Sequence, residues 1–285
     1  VLMNNQEIPL SKIHFLFSLG HRCNSVNAMK ENDIRMCSGP FDYMYIDLET
    51  CFQSIQDRFQ TFLNQECMVI IHKHKKQVSY NKSVNPSIIE CIKKDEPIQY
   101  MGHDYSNISI LLNQSFIPQP NIHSNNIYDW DRVCIFHHHN VLDPTNHAKI
   151  KKRCCTFNQI YETFCKHVCL FHVSKIIESS IEEYKDSVLR LIHDYKIKCF
   201  VVVIVCTPLE FQELYDMKDR VLFIHKKVPS YEIQSSQVQY SDEQSKYDIG
   251  TDNNYTFNNE IQLLKKLLNV RLYPYDIIQS IFNES

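Results

Sequence analysis

Glycine is scarce in this chain. Only Gly20, Gly39, Gly102 and Gly250 occur in 285 residues, where about 7% is usual. Asn, Lys, Ile and Tyr are plentiful, the drift expected of an A+T-rich coding sequence. With so few glycines there is no Gly-x-Gly-x-x-Gly and no P-loop, which argues against a nucleotide cofactor. Two further motifs are missing: no Cys-x-x-Cys pair and no His-Glu-x-x-His helix, so neither a zinc ribbon nor a metalloprotease helix is written here. No apolar run approaches the roughly 18–20 residues of a spanning helix. Charge of one sign is also lacking. A net charge of −3 gives no reason to expect nucleic acid or an anionic membrane as a partner. No secretory signal is visible, and residues 1–3 read as a ragged start rather than a targeting segment. The expectation is a soluble cytoplasmic protein without a cofactor.

What is present is a globular composition, 44% hydrophobic and 22% charged, in a chain long enough to bury a sizeable core. Twelve cysteines are scattered through apolar runs such as Cys199-Phe200-Val201-Val202-Val203-Ile204-Val205-Cys206, without a framework spacing. They read as buried free thiols in a reducing compartment.

Hydrophobic periodicity predicts strands at 13–19, 68–71, 98–101, 133–136, 168–173, 199–206 and 221–225. It predicts helices at 21–32, 46–64, 146–164, 181–196, 210–215 and 258–270. Residues 73–97 read as a polar excursion, 112–130 as a long loop and 230–257 as an exposed loop. The fully apolar 199–206 is the kind of strand buried on both sides of a parallel sheet. Together these give an α/β fold with a mixed or mainly parallel central sheet and helices on both faces. A single domain over 10–275 is expected. Its first half, 10–145, carries a Cys/His site, and its second, 146–275, carries a β-α-β-α-β run.

The chemistry centres on Ser18-Leu19-Gly20-His21-Arg22-Cys23. An apolar strand ends in glycine, and a cysteine follows where a helix begins. A helix N-terminus lowers a thiol pKa because its dipole favours the anion, and the thiolate is the nucleophile. Gly20 permits the tight turn, and the turn's amides can serve an oxyanion. The alternative is a buried structural cysteine like most of the others. A nucleophilic cysteine needs an imidazole base and a group to orient it. Gly102-His103-Asp104 offers one such set. His137-His138-His139, with Asn140 and Asp143 beyond, offers another, and the alternative for both is solvated imidazole. His137, His139 and Asp143 are also arranged as zinc would accept, but no metal is expected. Lys149, Lys151, Lys152 and Arg153 form a basic helix face, either merely solvated or directed at an acidic or phosphorylated substrate. Ser38-Gly39-Pro40-Phe41-Asp42-Tyr43 is either a substrate loop or a packed turn.

Ser18-Leu19-Gly20-x-x-Cys23, Ser38-Gly39-Pro40-Phe41-Asp42-Tyr43, His138-His139-Asn140 and Lys152-Arg153-x-x-x-Phe157 occur in this order. The pattern resembles an uncharacterised family of bacteria and large DNA viruses described as papain-like cysteine peptidases, over roughly residues 13–210. The resemblance implies Cys23 as nucleophile and one of the following histidines as base. For a viral chain, the compartment would be the host cytoplasm. Where the family has Phe-Asp-Trp, this chain has Phe41-Asp42-Tyr43; where it has paired arginines, this chain has Lys152-Arg153.

The expectation is a cysteine-dependent hydrolase or acyl-transferase acting on an amide, ester or isopeptide bond of a protein or small molecule. Cys23 attacks; His138, His139 or His103 takes the proton; Asp143, Asn140 or Asp104 orients the ring. Gly20, Ser38, Asp42 and Arg153 contact the substrate. Two alternatives stand beside it: a sugar- or phosphate-directed transferase without covalent catalysis, and a catalytically dead interaction module.

Overall fold

A computed structural model describes residues 13–20, 24–72, 77–80, 86, 109–116, 132, 134–136, 140–175, 180–228, 257–268 and 270. Among the described residues, ten strands form two five-stranded sheets. The first is built on β1 (Phe15–Ser18), β7 (Val168–Lys175), β8 (Phe200–Thr207), β9 (Tyr215–Lys218) and β10 (Val221–Lys227), in the order β1-β7-β8-β10-β9. β1, β7, β8 and β10 run parallel, and β9 closes one edge antiparallel to β10. β1 pairs with β7 in the register Phe15 to Val168 through Ser18 to Phe171, so the first strand is built into the sheet of the second half. Every residue of β8 is buried, as a strand covered on both faces requires.

Alternate residues of this sheet serve two separate cores. Phe15, Phe17, Val168, Leu170, Val201, Val203 and Phe223 face one way, toward α2 (Leu48–Gln56), α3 (Pro144–Phe164) and α4 (Ile181–Asp194). Leu16, Cys169, Phe171, Val202, Ile204 and Leu222 face the other, toward α1 (Asn24–Glu31) and α5 (Asn258–Leu267). Helices therefore cover both faces of a mainly parallel sheet, the α/β arrangement the periodicity indicates.

The second sheet is a departure from that expectation. β2 (Tyr45–Ile46), β3 (Met68–His72), β4 (Gln77–Tyr80), β5 (Ser109–Asn113) and β6 (Cys134–Phe136) pair antiparallel throughout, in the order β2-β6-β5-β3-β4. Two stretches read as irregular supply strands to it. β4 lies within the polar 73–97, where alternation is too weak to announce a strand but β3 offers a ladder of backbone partners. The supposed loop from 112 begins inside β5. Its Asn113 is fully buried, donating from Nδ2 to the Thr61 carbonyl (2.8 Å) and accepting from Ser115 N–H (3.0 Å).

Two helices also end differently. The helix read over 46–64 stops at Gln56, and Arg58 and Phe59 turn to φ 55° and 63°. Phe59 N–H then caps back on Ser54 O at 2.7 Å, and its ring enters an aromatic cluster with Phe41, Phe62 and Phe157. Burying that ring outweighs continuing the helix. The short helix read at 210–215 does not form. Tyr215 instead opens β9, and His225 on β10 takes the Leu214 carbonyl with its backbone (2.8 Å) and the Glu213 carbonyl with Nδ1 (2.6 Å), tying the end of this segment to β10. The strand read at 98–101 and the loop at 230–256 lie outside the described residues.

Candidate active site

β1 ends at Ser18, and the chain turns through Leu19 and Gly20 before α1 opens at Asn24. Gly20 sits at φ +69°, a left-handed conformation in which glycine carries no steric penalty. A Cβ there would collide with Ile46 Cγ2 and stand 3.6 Å from Phe41 Cβ. The turn thus needs glycine twice, for its backbone and for the space above it.

The backbone polar atoms of Leu19 and Gly20 all have partners. Gly20 N–H donates to Ser18 Oγ (3.2 Å), and Leu19 N–H donates to Phe171 O on β7 (2.9 Å). Ser25, fully buried in the first turn of α1, donates from Oγ to Gly20 O (3.1 Å) and accepts from Val173 N–H (3.1 Å). One hydroxyl thereby ties the start of α1 to both the turn and β7. The Leu19 carbonyl accepts from Cys51 Sγ on α2 (3.2 Å). In an open α/β sheet, ligands bind outside the carboxyl ends of parallel strands, and this turn lies at the carboxyl end of β1.

The Ser38–Tyr43 motif packs beneath the turn. Asp42 is buried; its Oδ2 accepts from Arg35 Nη2 (2.8 Å) and from Gly39 N–H (3.0 Å), and Arg35 Nη2 also donates to Ser38 Oγ (2.8 Å). Burial pushes the Asp42 carboxyl up, and the Arg35 bond and charge oppose that, with Arg153 adding a smaller favourable field. Burial foremost, with the Asp42 charge beside it, pushes the Cys37 thiol up to about 11. Tyr43 takes φ 60°, with Lys30 Nζ 4.8 Å and the Arg35 guanidinium 5.9 Å from its ring centroid. α1 is thus held at its start by Ser25 and at its end through Lys30 on Tyr43.

Several proposed site residues therefore come together. Gly20 rests against Phe41, Phe17 meets Phe157 edge-on at 4.9 Å, and Arg153 of α3 bears electrostatically on Asp42. Ser38 and Asp42 bond within their own loop. Asp143 is the N-cap of α3, its Oδ1 accepting from Asn146 N–H (2.9 Å), with Pro144 in the first turn. Asn140 is exposed and accepts from Leu142 N–H (3.0 Å). Cys23, His103, Asp104, His137, His138 and His139 lie outside the described residues. Among the described residues no group of three His, Cys, Asp or Glu is placed to hold a metal ion.

The model of a family described as "Putative papain-like cysteine peptidase (DUF1796)" matches residues 14–207. The chain belongs to that family. The match starts at the residue before β1 and ends with β8, so the family's region takes in the Gly20 turn, the Ser38–Tyr43 motif, the antiparallel sheet and α3. No match was found among curated proteins or among solved structures.

One residue of this neighbourhood went unread in the sequence. His172 is the lone polar member of Val168-Cys169-Leu170-Phe171-His172-Val173, a strand otherwise apolar. It is 3% exposed, and burial drives its pKa from the ordinary 6.5 down to about 4, opposed by the Leu19 carbonyl. The imidazole is therefore neutral at pH 7. A single titratable side chain inside an apolar strand was the available signal.

Proposed function

We propose that this protein is a cysteine-dependent hydrolase or acyl-transferase with Cys23 as nucleophile. The observation carrying the reading is a strand that ends at Ser18, Gly20 at φ +69° and α1 opening at Asn24, the residue after Cys23. Family membership supports the same chemistry. In the proposed reaction the Cys23 thiolate attacks an acyl carbon of an amide, ester or isopeptide. The imidazole of His138, His139 or His103 delivers the proton to the leaving group, and water or a second acceptor then resolves the thioester. Asp143, Asn140 or Asp104 orients that imidazole. Asp143 already gives one oxygen to the α3 cap, and its second oxygen is the one proposed for this role.

The test uses p-nitrophenyl acetate as a generic acyl donor. The expected result is release of p-nitrophenol with one acetyl group appearing on the peptide containing Cys23, and loss of both in Cys23→Ala. Release at the wild-type rate by Cys23→Ala, with the acetyl group on another residue, overturns the proposal.

A further inference from the structure

We propose that the flank of α3 carrying Lys149, Lys152 and Arg153 is a docking surface for an acidic polypeptide segment. Binding there asks nothing of Cys23, so it stands or falls apart from the proposed chemistry.

One face of α3, with Ile150, Cys154, Phe157 and Ile160, is buried. Away from it, Lys149 and Lys152 are exposed and Arg153 is half-buried. No acidic residue occurs between Asp143 and Glu162. Lys149 lies three residues before Lys152 and four before Arg153, so the three cations are neighbours on one flank. Among the described residues, none of them makes an ion pair or a side-chain hydrogen bond. Other cations are matched: Arg58 meets Glu162 at 3.0 Å, Arg132 meets Glu49 at 3.5 Å and Lys226 meets Glu260 at 3.0 Å. Like charges at these spacings destabilise a helix, and no described carboxylate pairs with the flank to offset them. An anionic partner supplies that offset.

The flank also stands at a particular end of the sheet. Phe164 meets Phe15 at 5.5 Å and Phe157 meets Phe17 at 4.9 Å, so α3 runs antiparallel to β1. Arg153 and Lys149 precede Phe157 by one and two turns, about 6 and 12 Å along the axis. β1 ends one residue past Phe17, at Ser18. The basic flank therefore reaches past the carboxyl end of β1, the end at which open α/β sheets bind ligands. The Ser38–Tyr43 motif meets α3 through the same ring: a Cβ on Gly39 would stand 3.5 Å from Phe17 Cδ1.

The size of the flank decides the partner. Neighbouring cations about 5–6 Å apart match an extended peptide, whose same-side carboxylates repeat about every 6.6 Å. Duplex nucleic acid carries one charge per about 1.7 Å and calls for a longer basic track. A chain of net charge −3 repels it, and an anionic membrane, alike.

The experiment is fluorescence anisotropy of a fluorescein-labelled octaglutamate peptide with the full chain. Compared are wild type, the flank variant Lys149→Glu/Lys152→Glu/Arg153→Glu, and the control Lys166→Glu/Lys196→Glu/Lys198→Glu. The control changes the net charge equally, at exposed lysines near the starts of β7 and β8. Expected are binding by wild type that weakens in about 0.5 M salt, at least about tenfold weaker binding by the flank variant, and a control within about threefold of wild type. If the flank variant fails to fold, the three Gln substitutions are read in its place, with the same ordering expected. No binding by wild type, or equal weakening in both variants, overturns the proposal. So does tighter binding of labelled duplex DNA or of phosphatidylserine vesicles than of the peptide at the same flank.

Discussion

At the scale of single residues, Gly20 is the least replaceable position outside the proposed nucleophile. Gly20→Ala imposes a left-handed backbone on an L-residue, about 1–2 kcal/mol, and drives its methyl into Ile46, a packing cost of about 1–3 kcal/mol. A loss near 3 kcal/mol in urea unfolding is expected, and a loss below about 0.5 kcal/mol would show that the turn is not under this constraint. His172 makes a separate prediction. An imidazole whose folded pKa lies below its unfolded value holds its proton more weakly when folded. Its contribution to stability is full above pH 6.5, falls as pH drops, and is lost by about pH 4. The loss is on the order of 3 kcal/mol. Urea unfolding from pH 7.5 to 4.5 should show it, and His172→Gln should flatten the curve in that window. Equal slopes for the two proteins would contradict the burial argument.

At the scale of elements, the edge strand β9 depends on a buried lysine. Lys185 of α4 is 2% exposed, bonded to Asp216 of β9 and to Glu182 (2.9 Å), with Nζ 5.8 Å from the Phe223 ring centroid. Lys185→Met keeps the stem's packing but takes from Asp216 its bonded cation, at a cost of about 1–2 kcal/mol for a half-buried charged hydrogen bond. Adding Asp216→Asn should recover part of it, and hydrogen exchange should localise the loosening to β9. Full additivity of the two changes would exclude the coupling.

Elements with strong periodicity were legible in advance. β8 and α4 lie within a residue or two of their sequence readings, because a run of eight apolar residues and a Ser180–Glu183 capping box need no tertiary help. The antiparallel sheet was only partly legible. β3 and β6 fall on the strands read at 68–71 and 133–136, but β2 has two residues, too short for alternation to register, and β4 and β5 arise because β3 offers both its edges. α2 ends early for a reason held largely by Phe41 and Phe157, both far from Phe59 in the chain. For the site, Gly20 and the Ser38–Tyr43 motif could be picked out one by one. Their contact through Phe41 and Ile46, and the arrival of His172 from 150 residues downstream, are properties of the β1–β7 register.

At the scale of the whole molecule, the fold sorts its thiols. Cys51, Cys134, Cys154, Cys169, Cys199 and Cys206 are buried, and Cys155 is exposed. Burial pushes Cys51, Cys134, Cys154, Cys169 and Cys199 above the ordinary thiol range, which makes them poor nucleophiles. In the native protein those thiols should resist a maleimide that labels Cys155 readily, and all should label in urea. Rapid native labelling of Cys169 or Cys199 would contradict the packing of the parallel sheet. Against this inert background, the central claim concerns one sulfur. The most direct test is the pH dependence of native alkylation at Cys23 with Cys155 as internal reference. The account predicts a Cys23 midpoint below the ordinary thiol value of about 8.5 and a faster reaction than Cys155 at neutral pH. A midpoint at or above that value, with Cys23 no faster than Cys155, would contradict it.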